Sequence, residues 1–365
     1  MPNQNPQAVI LIPSLEPDDR LPAYVDQLMA SGFDRVVVID DGSSESFQPI
    51  FRDLETREGC VVLHHDVNHG KGVALKTGYT YIREHLADRP GVITADADGQ
   101  HTVADCLKLA EALKSGKRAL YLGSRDFSLP NVPPKSRFGN RCTSAVFKLF
   151  YGTWLPDTQT GLRAFPLSDL DFMLNVDGER YEYEMNVLIA CARAKIPMEI
   201  ITIETVYENG NEGTHFHPIR DSWRIYKVIL GNFFRFAGVS IASWVLDEGL
   251  ASLLFYVLLP LTPIAKGSFE FISGYGARLV SAVFNYLMNR KLVFRSETSV
   301  VSSGWKYAVL ALGIITLSNG CVWVLDRLGL PFAAAKIIID LLLYLVSYRV
   351  QDAWVFNNAK ENKKA

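Results

Sequence analysis

Between residues 237 and 350 the sequence passes through four apolar stretches, at about 237–259, 269–288, 306–325 and 332–350. Each approaches the roughly 20 residues that a helix needs to cross a bilayer. One such stretch would suit the buried helix of a soluble bundle; four in tandem predict an all-α membrane domain with four transmembrane helices. The segment before them, 221–236, mixes aromatic, aliphatic and basic side chains, as a helix lying in the membrane interface does. Arg290, Lys291, Arg295 and Lys306 fall between the second and third stretches, and Lys360, Lys363 and Lys364 follow the fourth. The other connections carry little beyond Lys266 and Arg327, so the positive-inside rule places both termini in the cytosol. Asp247, Glu248, Arg278 and Asp340 fall near the middle of these stretches. Charges at that depth pair or line a polar cavity, which predicts a polar cluster in which Arg278 meets one or more of the acids.

The front of the chain has a different character. Residues 1–235 carry 25 basic and 31 acidic side chains, against 12 and 8 in residues 236–365. An acidic front without a basic stripe excludes a nucleic-acid surface. The five cysteines stand at no metal-ligand or redox spacing, which fits a reduced, cytosolic compartment. The N-terminus is polar and lacks the apolar region of a signal peptide.

From Ala8 to about Tyr207 short apolar runs alternate with amphipathic segments. Ala8–Ile12, Val36–Ile39, Val61–Leu63, Val92–Ala95 and Ala119–Leu122 read as strands, and 21–31, 72–86 and 103–114 as helices. This alternation predicts an α/β domain with a mostly parallel sheet covered on both faces. Ligands of such sheets bind beyond the carboxyl ends of the strands. Polar residues gather there: Ser14–Glu16, Asp40–Ser43, Asp96–Gln100 and Ser124–Asp126.

Within Thr94-Ala-Asp-Ala-Asp-Gly-Gln-His101, Asp96 and Asp98 stand at i and i+2 on a strand end, where both can reach a divalent cation held against a diphosphate. Hard oxygen ligands, with Gln100 as a neutral third, suit Mg²⁺ or Mn²⁺. A solvated Asp-Gly turn is the plainer alternative for this stretch and for Asp40-Asp41-Gly-Ser43, whose carboxylates could otherwise hold a nucleobase or ribose. In Asn68-His-Gly-Lys71-Gly72 the glycines let phosphate approach backbone N–H groups at a helix start. Arg125, Lys135, Arg137, Arg141 and Arg163 are cations available to a second phosphate, and Arg suits bidentate recognition of one. Asp157, Glu182 and Glu184 are candidate bases for a hydroxyl acceptor, although only one of the two glutamates can face inward on a helix. Gly210–Gly213 with His215 and His217 reads as a lid.

Together Asp40–Ser43, Asn68–Gly72, Asp96–Gln100, Gly123-Ser-Arg125 and Asp157-Thr-Gln-Thr-Gly-Leu-Arg-Ala-Phe165 resemble family 2 glycosyltransferases, most of all the dolichyl- or polyprenyl-phosphate sugar synthases. The resemblance covers roughly residues 8–230. It implies a GT-A fold, which is Rossmann-like and binds a nucleotide sugar, and inversion at the anomeric carbon. It implies that Asp98 and Gln100 hold the metal, with Asp96 close to both metal and nucleotide. Pro13, Leu15, Glu16, Asp40, Asp41, Lys71 and Ala97 would complete the donor site, and Arg125, Arg137, Arg141 and Arg163 would meet the acceptor phosphate. Asp98, Arg125 and Asp157 would carry catalysis. Where the family's first strand ends in Pro-x-x-Asn-Glu, this chain has Pro13-Ser-Leu-Glu-Pro17. The back half resembles the GtrA-like four-span proteins through Phe236-Ala-Gly-Val239, Asn285–Phe294 and Arg349–Phe356.

The expected organisation is a glycosyltransferase domain over 1–220, an interfacial linker over 221–236, a four-helix membrane domain over 237–356 and a basic tail over 357–365. The expected function is transfer of one hexose from a UDP- or GDP-sugar to undecaprenyl or dolichyl phosphate at the cytosolic membrane face. A transferase acting on a glycan or lipid hydroxyl, and a lipid-linked-sugar translocase that only binds donor, stay open. The membrane half also offers a surface for a homo-oligomer. A processive polysaccharide synthase is disfavoured because no Gln-x-x-Arg-Trp occurs.

Overall fold

Val36–Asp40 is buried at every position, as a strand covered by helices on both faces must be. It is β2 of a sheet in which β1 (Val9–Ser14), β2, β3 (Cys60–His64) and β4 (Gly91–Thr94) lie side by side and parallel in the order β3-β2-β1-β4. These coordinates are a computed structural model that describes residues 7–129, 132–204, 218–264 and 268–356. The Gly210–Gly213 loop, His215, His217 and the tail 357–365 lie outside the described residues. Helices α1 (Arg20–Ala30), α2 (Gln48–Glu55), α3 (Lys71–His85) and α4 (Val103–Leu113) connect and follow these strands. On one face Ile10, Ile12, Val36, Val38 and Ile93 pack with Leu21, Val25, Leu28 and Leu109 in a single core.

The strand order reverses between β1 and β4, so their carboxyl ends diverge and leave a crevice. Beyond β4 the sheet continues with β5 (Leu120–Arg125), β6 (Arg163–Pro166) and β7 (Met198–Ile203) in the order β4-β6-β5-β7. Strand β6 runs antiparallel to both β4 and β5, so the sheet is mixed. It has no clear apolar signature because it carries a charge inside. Arg163 is 5% exposed and donates from Nε to Thr160 O and from Nη1 to Glu184 O. The Arg163 guanidinium, expected at the acceptor phosphate, holds these two backbone carbonyls in the interior. Helices α5 (Pro134–Tyr151), α6 (Leu170–Leu174), α7 (Glu182–Ala194) and α8 (Pro218–Ile229) complete this part.

The chain divides into two compact units, Met1–Ile229 and Leu230–Ala365. The segment 221–236, expected as one interfacial helix, falls on two helices, the end of α8 and the start of α9 (Gly231–Leu253). The second unit comprises α9, α10 (Phe269–Met288), α11 (Val300–Arg327) and α12 (Phe332–Val350). Among the described residues two continuous helical stretches, Gly231–Leu261 and Val300–Arg327, are long and apolar enough to cross a membrane. Only 11% of the apolar window of each is buried, so neither is the enclosed core helix of a soluble bundle.

The second unit repeats one hairpin design. Phe234-Arg-Phe-Ala237 in α9 matches Trp305-Lys-Tyr-Ala308 in α11. Helices α10 and α12 both end in a π-helical turn, Asn289–Val293 and Gln351–Val355, followed by Phe294 and Phe356. Each hairpin's tyrosine meets the other's phenylalanine: Tyr286 lies 5.8 Å from Phe356 and Tyr348 5.7 Å from Phe294, while the two phenylalanines stack at 5.1 Å. Asn289 Nδ2 donates to Gln351 Oε1 at 3.3 Å between them.

The expected cluster of four mid-span charges resolves into two separate pairs, one in each hairpin. Arg278 Nη2 lies 2.9 Å from Asp247 Oδ2, and Ser281 Oγ donates to the same carboxylate. Asp340 instead takes Lys336 at 3.0 Å and Ser318 Oγ at 2.6 Å. Glu248, the next residue along α9 from the buried Asp247, is exposed. The repeat explains the split: Ser318 stands as far beyond Tyr307 as Asp247 stands beyond Phe236, and Asp340 as far before Tyr348 as Arg278 before Tyr286.

Candidate active site

A cleft of about 460 Å³ opens at the crevice between β1 and β4. Pro13, Ser14, Leu15 and Glu16 form one wall, Asp96, Ala97 and Asp98 another, and Asp41, Asn68, Gly70 and Lys71 a third. Asp18, Arg20, Arg180 and Tyr181 add polar groups to the lining. The backbone turns sharply at Glu16, whose φ is 50°, and its N–H donates to Ser43 Oγ at 2.9 Å. The ends of β1 and β2 are thereby tied.

The two aspartates after β2 are divided between tasks. Asp40 is 1% exposed and does not line the cleft. It accepts from Ser43 N–H at 2.8 Å and Gln48 Nε2 at 2.9 Å, and pairs with His64 Nδ1 at 2.9 Å. The oxygens of Asp40, expected on the nucleotide, brace the turn and the neighbouring strand. Asp41 accepts from the N–H groups of His69 and Gly70 at 3.0 and 2.8 Å and pairs with His65 Nδ1 at 2.7 Å, which staples the loop before α3 to the sheet. Gly70 permits the close approach. Its φ is 104°, and a Cβ there would lie 2.5 Å from Arg180 Cγ and 2.7 Å from Glu179 O. Gly70→Ala is therefore expected to displace this loop and raise the KM for a substrate held in this cleft about tenfold or more, read from initial rates.

The clasp around Asp40 predicts a pH signature. Burial opposes ionisation of Asp40, but the bonds from Ser43, Gln48 and His64 outweigh it and hold the carboxyl below its ordinary 3.8. Burial likewise opposes protonation of His64, but Asp40 and Glu55 outweigh it and hold the imidazole above its ordinary 6.5. The histidine's contribution is full below its unfolded pKa and is lost as pH rises through the folded value. The aspartate's is present above its unfolded pKa and is lost as pH falls through its folded value. His64→Gln should thus lower the melting temperature most between about pH 4 and 6.5 and have little effect above about pH 8.

Asp96 and Asp98 follow β4. Lys71 Nζ reaches Asp96 Oδ1 at 2.6 Å and Glu184 Oε1 at 3.1 Å, while His101 Nε2 lies 3.2 Å from Asp96 Oδ2. Burial disfavours the charges of both Lys71 and Asp96. Their mutual attraction, with Glu184 and His101, outweighs it, so the ammonium is held above and the carboxyl well below its ordinary range. Gly161 packs where a Cβ would lie 2.4 Å from Asp96 Oδ2. Asp98 Oδ1 accepts the Gln100 N–H at 3.0 Å. The Gln100 side chain is exposed beside Asp98, outside the cleft lining. Among the described residues no group of three or more His, Cys, Asp and Glu forms a metal cluster. Two hard carboxylates beside open space still fit Mg²⁺ or Mn²⁺, which fill their remaining positions with water and phosphate oxygens.

Arg125 and Asp157 stand together away from this cleft lining. Arg125 donates from Nε and Nη2 to Asp157 Oδ2 and Oδ1 at 2.7 and 3.2 Å, and Asp157 is fully buried. Strand β6, inserted between β4 and β5, sets Arg125 apart from Asp98. Arg137 donates from Nη2 to Leu129 O at 2.8 Å, and Arg141 is exposed one turn further along α5. Glu182 caps the N–H groups of Glu179 and Arg180, both at 3.1 Å, so Glu184 is the inward member of that pair. His65, His101, Asn68, Arg180 and Tyr181 had no expected role; of these, only the loop position of Asn68 beside Gly70 carried a signal.

Comparison with known families gives this geometry its context. Residues 9–168 match Glycosyl transferase family 2, and residues 235–356 match the GtrA/DPMS transmembrane domain. The chain joins a family 2 glycosyl transferase domain to a GtrA/DPMS transmembrane domain. It is thus a glycosyltransferase of the membrane, with a GT-A-like mixed sheet. Among curated proteins, one from Methanocaldococcus jannaschii without an assigned function is 27% identical over 62% of this chain and 92% of its own length. A UDP-N-acetylglucosamine–dolichyl-phosphate N-acetylglucosaminyltransferase of Methanococcus voltae is 27% identical over 54% of this chain and 85% of its own. The glycosyltransferase AglJ of Haloferax volcanii is 28% identical over 69% and 82%.

Proposed function

We propose that this glycosyltransferase transfers a single hexose, with inversion, from a UDP- or GDP-sugar to a polyprenyl phosphate at the cytosolic face of the membrane. The observation that carries this reading is the state of the candidate bases. Asp157 is fully buried against Arg125, Glu184 holds Lys71, and Glu182 accepts the N–H groups of Glu179 and Arg180. A hydroxyl nucleophile needs a carboxylate to take its proton. A phosphate monoester, with a second pKa of about 6, is already largely ionised at neutral pH and needs only to be bound and aimed. The membrane domain on the same chain and the dolichyl-phosphate transferase among the relatives support the same acceptor.

In this reading the cleft holds the nucleotide, with Pro13, Leu15, Glu16 and Ala97 beside the base and ribose and Asp41 bracing the loop that carries Asn68 and Lys71. Lys71 meets the diphosphate. Asp96 and Asp98 hold Mg²⁺ or Mn²⁺, which supplies Lewis-acid stabilisation of the leaving diphosphate. Arg125, Arg137 and Arg141 bind the acceptor phosphate. All four helices of the second unit span the bilayer, with both termini cytosolic, and residues 221–236 lie at its surface. The test compares acceptors. Polyprenyl phosphate should be glycosylated and the matching polyprenol should not; equal use of the alcohol would overturn the reading.

A further inference from the structure

Both oxygens of the Asp96 carboxylate already have partners from the chain, Lys71 on Oδ1 at 2.6 Å and His101 on Oδ2 at 3.2 Å. Asp98, two residues on, accepts the backbone N–H of Gln100. The pair that would share one metal is therefore unequal. Lys71 stands at the first turn of α3 with a side chain 17% exposed, anchored also to Glu184 and facing the same cleft as Asp98. An ammonium at 2.6 Å occupies the place a divalent cation would take on Asp96, and two cations in one partly buried site repel strongly. A diphosphate in the cleft offers that ammonium a doubly charged alternative on a flexible four-carbon stem.

We infer that Lys71 is a resident cation that closes Asp96 until the donor arrives. The donor's diphosphate draws the ammonium away, and the freed carboxylate completes the divalent site with Asp98. The inference rests on the proposed reading of the cleft as a nucleotide-sugar site. It makes metal and nucleotide bind cooperatively, because each is favoured by the state in which the Lys71–Asp96 pair is open. It also separates Lys71 from a simple phosphate ligand. Loss of such a ligand weakens nucleotide binding and leaves metal binding to the nucleotide-free protein as it was. Loss of a resident cation strengthens that metal binding.

The experiment titrates the full-length protein in detergent with Mn²⁺, following free Mn²⁺ by electron paramagnetic resonance, with and without saturating UDP or GDP. In the wild type, nucleotide should lower the Kd for Mn²⁺ about tenfold or more, within the usual range of coupling between sites. Lys71→Met should bind Mn²⁺ about tenfold more tightly than wild type without nucleotide and lose the share of the coupling that the Lys71–Asp96 pair supplies, keeping the share from diphosphate oxygens on the metal. Lys71→Arg keeps the positive charge and the fold and should keep the weak nucleotide-free binding. Thermal melting identifies any variant that is unfolded. Unchanged or weaker nucleotide-free binding in folded Lys71→Met, or tight nucleotide-free binding in Lys71→Arg, would overturn the inference and leave the proposed function standing. A wild type that binds neither Mn²⁺ nor nucleotide would remove the reading of the cleft itself.

Discussion

Replacing Asp98 with Asn is expected to lower the rate of sugar transfer about 10³-fold while leaving the melting temperature nearly unchanged. The two halves of this expectation have separate causes. Asp98 is partly exposed at the cleft, and the bond it accepts is the local one from Gln100 N–H, so its charge does little for the fold. An Asn oxygen keeps that bond. The leaving diphosphate, however, loses the anionic ligand of its neutralising cation, and one such electrostatic contribution is worth roughly 10²–10³ in rate or more. Asp96→Asn makes the contrast. It removes a charge from Lys71, whose side chain is mostly buried, so stability should fall together with activity. Steady-state rates and melting curves of the two variants, measured side by side, test the assignment. A stable, fully active Asp98→Asn would sink it.

The second large effect concerns Arg125. Arg125→Met removes the bidentate partner of a carboxylate with no solvent exposure and is expected to cost about 3 kcal/mol, the penalty of a buried charge left unpaired. In a unit of this size that lowers the melting temperature by roughly 6–12 °C. Adding Asp157→Asn removes the stranded charge, so the double variant should recover most of the stability. Activity behaves differently. If Arg125 also meets the acceptor phosphate, the double variant stays impaired, with a raised KM for polyprenyl phosphate. Recovery of activity along with stability would make the pair purely structural.

Much of this arrangement was legible before any coordinates. The strands Ala8–Ile12, Val36–Ile39 and Val92–Ala95 announce themselves as apolar runs ending in acidic or polar turns, and those turns do meet at one cleft. The hidden parts are those whose chemistry contradicts their location. Strand β6 contains Arg163, and a buried guanidinium bonded to carbonyls gives the same letters as a surface arginine awaiting phosphate. Without β6, Arg125 appears one strand closer to Asp98 than it is.

The division of labour between Asp40 and Asp41 was equally hidden. It depends on the register that sets Asp40 beside His64, 24 residues away, and only the paired strands reveal it. In the membrane unit the mid-span charges were visible. Arg278 meets one of the acids expected for it, Asp247, and Lys336 stands one turn before Asp340 on the same helix; Ser318 was hidden, because only the hairpin brings it to Asp340. The matching π-helical turns before Phe294 and Phe356 were within reach of the sequence. Tyr286–Phe294 and Tyr348–Phe356 share their spacing of Tyr, an amide residue, Val and Phe.

Whether the ionised acceptor is a lipid phosphate is decided by the chemical identity of the product. Purified protein would be incubated with radiolabelled UDP- and GDP-sugars, polyprenyl phosphate and Mg²⁺ or Mn²⁺, then extracted into organic solvent. The account predicts a labelled lipid, labile to mild acid and stable to alkali, whose formation EDTA prevents and which carries one sugar per phosphate. Nucleoside diphosphate released without labelled lipid, or label appearing only on an alcohol or a glycan, would contradict it.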